Sequence, residues 1–230
     1  MILEKLHSLK ESKYQEFSQK LVPTRLEILG VRMPNLRALA KEIAKSKDAF
    51  NFINSQKDEI YELVLLEGLV IGYLNLELIE KLKLYENYIE KADNWALIDS
   101  VKFSGADKFS KDEKELLLNH IKTWLKSKDE NGDENEFIVR GGLVNLLYYF
   151  VSLENLEFIF SLKFQSGKYY ITMAHAWLLA ECMAKFPKET LNFMQNSSLD
   201  KTTHNKAISK MRESFRVSDK DKKLLLSLKK

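Results

Sequence analysis

The sequence predicts an all-α protein, an α-solenoid or superhelix in which two-helix repeats stack, and three observations carry that prediction. Helical apolar periodicity runs through most of the chain, without strand-like alternation. Turn-forming residues are scarce: 8 Gly and 3 Pro in 230 residues, where average usage would give about 16 and about 11. Trp95, Asp99, Arg140 and Trp177, four residues in otherwise apolar helical segments, recur at a regular interval. Asp99 to Arg140 is 41 positions and Arg140 to Trp177 is 37, near the roughly 40-residue period of two-helix repeats.

Taken in order, residues 11–20 form a helix that stops at Leu21-Val22-Pro23-Thr24, because proline disfavours helix in the residue before it. Pro34 suits the first turn of the next helix, whose apolar stripe is Leu36, Leu39, Ala40 and Ile43. Segments 57–74 and 76–92 follow as a pair broken at Gly72-Tyr73-Leu74-Asn75, and Asp93-Asn94 cap a helix that starts at Trp95. Residues 111–128 are strongly amphipathic, with Leu116, Leu117, Ile121, Trp124 and Leu125 on one stripe. Asp129-Glu130-Asn131-Gly132-Asp133 is the clearest loop; it lacks the Gly and terminal Glu spacing of a calcium loop. Helices then cover 136–151, 153–162, 169–186 and 187–195, followed by Lys-rich helices at 202–214 and 218–230. No boundary resembles a flexible linker, so residues 1–230 read as a single domain.

Composition narrows the class. Charged residues are 30% and apolar residues 45% of the chain, with a net charge of +3, a balance that permits a nucleic-acid partner without demanding one. The one cysteine, Cys182, lies in an apolar helical run and reads as a buried, inert thiol in a reducing, cytoplasmic protein. The start Met1-Ile2-Leu3-Glu4-Lys5 has no secretory signal pattern. The longest apolar run falls far short of the roughly 20 residues that span a membrane. His7, His120, His175 and His204 share no metal-ligand spacing, so neither a metal nor a cofactor is expected. His175, two residues before Trp177, reads as a packed or partner-bonded histidine.

The four recurring residues carry the chemistry. Trp95 and Asp99 are four apart and therefore one above the other on a helical face. Alone, Trp95 reads as an aromatic packed over a loop, Trp177 as core, and Asp99 as a carboxylate satisfied by Lys102 or a helix terminus. Arg140 precedes Gly141-Gly142 in an apolar helix. Two mid-helix glycines cost about 1 kcal/mol each against alanine, which points to close backbone approach by either a neighbouring helix or a phosphate backbone. At repeat spacing, a carboxylate, a guanidinium and two indoles line one concave surface, a set suited to a cationic, aromatic, phosphate-bearing ligand. Arg25, Arg32 and Arg37 form either a basic patch on that ligand or ordinary solvated charge, and the Lys-rich C-terminal tail reads as a solvated or weakly nucleic-acid-attracting end.

The chain also resembles the AlkD-like DNA alkylation repair proteins, DNA glycosylases built from HEAT-like helical repeats, over nearly its whole length. The resemblance is carried by Lys20-Leu21-Val22-Pro23-Thr24, by Ile28-Leu29-Gly30-Val31-Arg32-Met33-Pro34-Asn35-Leu36-Arg37, and by Asn94-Trp95 through Asp99. Val139-Arg140, Tyr169-Tyr170 with Met173 through Trp177, and Asn205-Lys206-Ala207 complete it. It implies HEAT-like two-helix repeats and metal-free excision of cationic alkylated purines, such as 3-methyladenine and 7-methylguanine, from duplex DNA. It further implies catalytic positions at Trp95, Asp99 and Trp177 and a DNA-backbone contact at Arg140, with Arg32 and Arg37 as further DNA-binding candidates. A monomer acting on alkylated duplex DNA, with no membrane partner, is expected. The rival reading is a non-catalytic HEAT-repeat scaffold that binds nucleic acid or a protein on the same surface.

Overall fold

A computed structural model describes residues 2–57 and 59–230. Among them the chain forms fourteen α-helices, and its only extended pairings are isolated bridges. The all-helical prediction is met. In order the helices are α1 (Ile2–Ser8), α2 (Ser12–Leu21), α3 (Met33–Ala44), α4 (Ala49–Asn54), α5 (Tyr61–Tyr73), α6 (Leu78–Ile89) and α7 (Trp95–Asp99). They continue as α8 (Lys111–Trp124), α9 (Glu136–Tyr149), α10 (Leu156–Ser161), α11 (Tyr169–Lys185), α12 (Pro187–Asn196), α13 (Lys201–Glu213) and α14 (Asp219–Ser227).

Most boundaries fall within a few residues of the periodicity, and the departures have local causes. Helices α1 and α4, at 7 and 6 residues, are too short to display an apolar period. The predicted helix at 57–74 begins instead at Tyr61. Lys57 turns back: its Nζ donates to the carbonyls of Phe52 (2.7 Å), Ile53 (3.1 Å) and Ser55 (2.7 Å). These carbonyls lie in the last turn of α4 and just past it, where the helix ladder runs out. Helix α8 stops at Trp124 rather than Lys128 because the Asp129 amide donates to the Asp133 carbonyl at 2.7 Å, closing a turn flanked by a Lys128–Glu134 bridge.

The chain falls into two compact units, Met1–Leu117 and Leu118–Lys230. In the first, α5 is the centre: every residue from Tyr61 to Gly72 is buried, so the helix is covered on all sides. Helices α3, α4, α6 and α7 all pack on it. In the second unit α11 takes that place, against α9, α12 and α13, with α14 on α13. Within each unit alternate helices meet, α3 with α5 and α5 with α7, then α9 with α11 and α11 with α13. That is the contact pattern stacked two-helix units produce.

Two glycines report close approach. Gly142 answers the question left open by the Gly141-Gly142 pair: a Cβ there would lie 3.0 Å from the Leu125 side chain and 3.4 Å from the Ile121 carbonyl. Helix packing therefore accounts for it. Gly30, at φ +89°, sits where a Cβ would lie 2.6 Å from that of Gln15, so both its backbone conformation and its contact exclude a side chain.

Gly30 belongs to the connection between α2 and α3, which is pinned from below. Glu62, 1% exposed, accepts hydrogen bonds from three consecutive amides, Leu29 (2.9 Å), Gly30 (2.7 Å) and Val31 (3.1 Å). Glu67, one helical turn and a residue further, is also buried. Lys91 reaches one of its oxygens at 2.8 Å, and Lys57 forms an ion pair with the other at 3.4 Å, beyond hydrogen-bond geometry. Both carboxylates are compensated, as burial demands.

Replacing Glu62 by alanine strands three buried amides at once. The expected cost is about 3 kcal/mol or more of the first unit's stability, read from urea unfolding; a loss below about 1 kcal/mol would contradict the assigned role.

Candidate functional site

The first unit presents the Trp95–Asp99 pair on α7, a helix of five residues that cannot stand without help. Asn94, fully buried, caps it: its side-chain oxygen accepts from the amides of Ala96 (3.0 Å) and Leu97 (3.3 Å). The Asn94 Nδ2 donates to Asp93 at 2.7 Å, and Asp93 accepts from the Thr24 hydroxyl (2.8 Å) and the Arg25 amide (3.0 Å). The Pro23-containing connection is thereby tied to the start of α7. From below, the buried Tyr88 hydroxyl donates to the Leu97 carbonyl at 3.0 Å, and burial raises that phenol well above its ordinary pKa.

With Ala96, Leu97 and Ile98 buried, the first and last residues of α7 are left to face outward. Trp95 is 36% exposed and Asp99 half-buried. The Trp95 indole N–H donates to the Leu21 carbonyl at 3.3 Å, which fixes the plane of the ring while leaving part of it open. At the other end, Arg37 donates to the Ser100 carbonyl (3.2 Å) and toward the Tyr73 hydroxyl (3.4 Å). Lys41 lies 5.3 Å from the centre of the Tyr73 ring. A guanidinium at the C-terminal carbonyls of α7 complements the negative end of the helix and places positive charge one residue from Asp99.

Arg32 lies at the N-cap of α3 and has a different environment. Its Nε donates to both oxygens of Glu11 (2.8 and 3.0 Å), and its guanidinium covers the Tyr14 ring at 4.9 Å. Both members of the ion pair are well exposed, so the pair is worth little in water and an incoming phosphate would compete with Glu11.

In the second unit, Glu136 and Arg140 are one turn apart on α9 and grip one residue of α11 from both sides. The Tyr170 amide donates to Glu136 at 2.5 Å, and Arg140 donates to the Tyr170 carbonyl at 2.8 Å. Phe137 adds a ring contact with Tyr170 at 4.9 Å. Arg140 is 4% exposed. Seven residues after Tyr170 on the same helix, Trp177 is half-buried and meets Tyr148 edge-to-face at 6.1 Å.

Trp95, Asp99 and Arg37 are thus brought together at α7, whereas Arg32 is engaged by Glu11 and Tyr14. Sequence reasoning missed Glu136 and Tyr148. The Glu136–Arg140 spacing was readable, but on a helix surface it signals an intrahelical pair, and it does not announce that both side chains reach the backbone of α11. Cys182 is buried as expected, and burial pushes its thiol up to about 12. In the C-terminal tail Lys220, Lys223, Lys229 and Lys230 are exposed, in line with the solvated reading, and Lys230 Nζ also donates to the carbonyls of Ser197 (2.9 Å) and Leu199 (2.8 Å). Among the described residues no three His, Cys, Asp or Glu side chains gather into a cluster able to hold a metal ion. Among them also, no helix is long and apolar enough to cross a membrane.

His175 is packed, as read from sequence, but incompletely partnered. It is 2% exposed, stands edge-on to Phe164 at 5.2 Å, and its Nε2 has no hydrogen-bond partner.

A family model described as "DNA alkylation repair enzyme" matches residues 2–211 of the 230. No curated protein and no solved structure matches the chain.

Burial lowers His175 to about 4, outweighing the opposing pull of Asp200. A base whose folded pKa is depressed stabilises the fold above its unfolded value and loses that contribution as pH falls through the window from about 6.5 to about 4. His175→Leu removes this loss. Wild type should therefore fall by about 3 kcal/mol relative to the variant between pH 7 and pH 4, measured by urea unfolding at each pH. Parallel pH profiles for the two proteins would rule this out.

Proposed function

The chain belongs to the DNA alkylation repair enzyme family, and from that premise we propose that it binds duplex DNA and hydrolyses the N-glycosidic bond of cationic alkylated purines. The observation that carries the reading is the outward pairing of Trp95 and Asp99 on α7, with Arg37 at the helix end. A carboxylate beside an open indole face suits a substrate that is both aromatic and positively charged.

The chemistry asks little of the leaving group. A 3-methyladenine or 7-methylguanine base already carries positive charge, so the bond between C1′ and the purine nitrogen breaks with its electron pair neutralising the base. Positive charge passes to the deoxyribose, where the Asp99 carboxylate stabilises it. A water oriented by Asp99 forms the new C1′–O bond, and its proton leaves through that carboxylate to solvent. The indoles of Trp95 and Trp177 attract the cationic nucleotide through their faces, at about 0.5–2 kcal/mol each. Arg37, with Arg32 once it leaves Glu11, supplies positive charge for the phosphate backbone. No metal or cofactor enters the scheme.

Arg140 stays a candidate for a backbone phosphate, although it already donates to the Tyr170 carbonyl. Its 4% exposure weighs toward holding α11 rather than DNA, and the rival reading is a HEAT-like repeat scaffold that binds nucleic acid or a protein without catalysis.

Single-turnover release of 7-methylguanine from methylated duplex DNA separates the two. Wild type should release the base, and Asp99→Asn should slow release by about tenfold or more. Equal release by both would move the chemistry away from Asp99. Salt-sensitive DNA binding with no release by wild type would leave the scaffold reading standing.

A further inference from the structure

The turn between α8 and α9 holds a reactive pair that the proposed base excision does not use. Asn131-Gly132 is the chain's only asparagine followed by glycine, and both residues are exposed. Apart from chain neighbours, nothing lies within 4 Å of where a Gly132 Cβ would stand, and φ there is +79°. Among the described residues the Asn131 carboxamide has no hydrogen-bond partner, whereas those of Asn145, Asn155, Asn196 and Asn205 each donate to an oxygen. The nucleophile and the electrophile of a ring closure are therefore adjacent, solvated and unhindered. One brake exists: the Gly132 amide donates to the Asp129 carbonyl at 3.0 Å. That bond lies in an exposed turn, where water replaces it at small net cost.

We propose that Asn131 is a site of spontaneous deamidation to isoaspartate, and that the isoaspartyl product loosens the segment leading into α11. Hydroxide takes the Gly132 amide proton, and the nitrogen attacks Asn131 Cγ. A C–N bond forms, the Cγ–Nδ2 bond breaks, and Nδ2 takes a proton from water and leaves as ammonia. Water then opens the succinimide. Attack at Cγ leaves an aspartate. Attack at the main-chain carbonyl leaves an isoaspartate, whose backbone runs through Cβ and Cγ and is one carbon longer. The sum is one water in and one ammonia out, with no change of oxidation state.

The fold gives the longer product a consequence. Asp129 Oδ1 accepts from the amides of Asn131 (2.9 Å) and Asp133 (3.1 Å), and the Asp129 amide donates to the Asp133 carbonyl at 2.7 Å. A carbon inserted between positions 131 and 132 falls inside that ring, so the 129–133 pairing loses its geometry. The residues it displaces hold the approach to α11. Asp133 pairs with Lys168 at 3.6 Å and accepts from Gln165 Nε2 at 3.2 Å. Glu134, 8% exposed, accepts the Gln165 amide with both oxygens, at 3.0 and 2.9 Å. An added charge without added length leaves these bonds in place, so backbone length is the active change.

Full-length protein is aged in mildly alkaline buffer and followed by peptide mapping with electron-transfer fragmentation, which separates aspartate from isoaspartate. Position 131 should deamidate at least about tenfold faster than Asn54 and Asn196, the two asparagines followed by serine, with isoaspartate the larger product. Asn131→Gln, whose ring closure needs a larger ring, should stay unmodified there. Hydrogen exchange reads the consequence. The Gln165 amide should exchange at least about fivefold faster in aged than in fresh wild type, while aged Asn131→Gln and fresh Asn131→Asp keep the fresh protection. Deamidation no faster at position 131 than at Asn54 or Asn196 would overturn the proposal. Unchanged Gln165 protection once isoaspartate has formed, or equal loosening in fresh Asn131→Asp, would overturn it too. None of these measurements involves DNA, so base excision stands or falls separately.

Discussion

The connection between α2 and α3 hangs on a buried carboxylate that accepts backbone amides. Glu62 sits on the helix at the centre of that unit, and its two oxygens take three successive N–H groups from the Leu29–Val31 stretch. A connection between helices normally runs over the surface because its polar backbone has no other partner than water. Here it is drawn against the core, and Leu29 and Val31 are buried with it. Gly30 adopts a positive φ with the Gln15 backbone against it, so α2 and α3 are held at both ends of one short strap. The second unit repeats the device. Glu134 accepts the Gln165 amide with both oxygens and Glu136 accepts that of Tyr170, anchoring the segment that leads into α11.

The consequence for chemistry is preorganisation by backbone rather than by side-chain packing alone. Helix α7 is too short to be stable by itself, and the groups that hold it come from far along the chain: Thr24, Arg25, Arg37, Tyr73 and Tyr88. Thr24, Arg25, Arg37 and Tyr88 reach α7 or the residues just before and after it, and Tyr73 supports Arg37. What remains unburied after this anchoring is a single indole face and a carboxylate one turn away. For a reaction that needs a fixed negative charge beside a flat cation, a short helix locked at both ends is a better support than a loop.

Helix α11 has a comparable division of labour. The α9 clamp on Tyr170 sets where the helix begins, and the T-shaped contact with Tyr148 orients Trp177. Its opposite side carries the buried His175, which the proposed reaction does not use. One helix therefore presents two faces, which the 100° step per residue makes unavoidable for residues two apart.

The sequence alone determined the helical class, most helix boundaries and the Asn94 cap of α7, because periodicity and capping are local and repeat within a few residues. It also singled out Trp95 and Asp99 as a face, since positions four apart in a helix share one. Tertiary structure decided which backbone partner each of several polar residues reaches. Arg140 and Glu136 turned to the Tyr170 backbone, Lys57 to the end of α4, and Arg37 to the end of α7. Gly142 proved to admit Leu125. Apart from those of Lys57, these partners lie more than fifteen residues away along the chain, several of them tens of residues distant. Such pairings are chosen by which unpaired amide or carbonyl the fold leaves within reach of a buried charge, a quantity that exists only once the helices have packed.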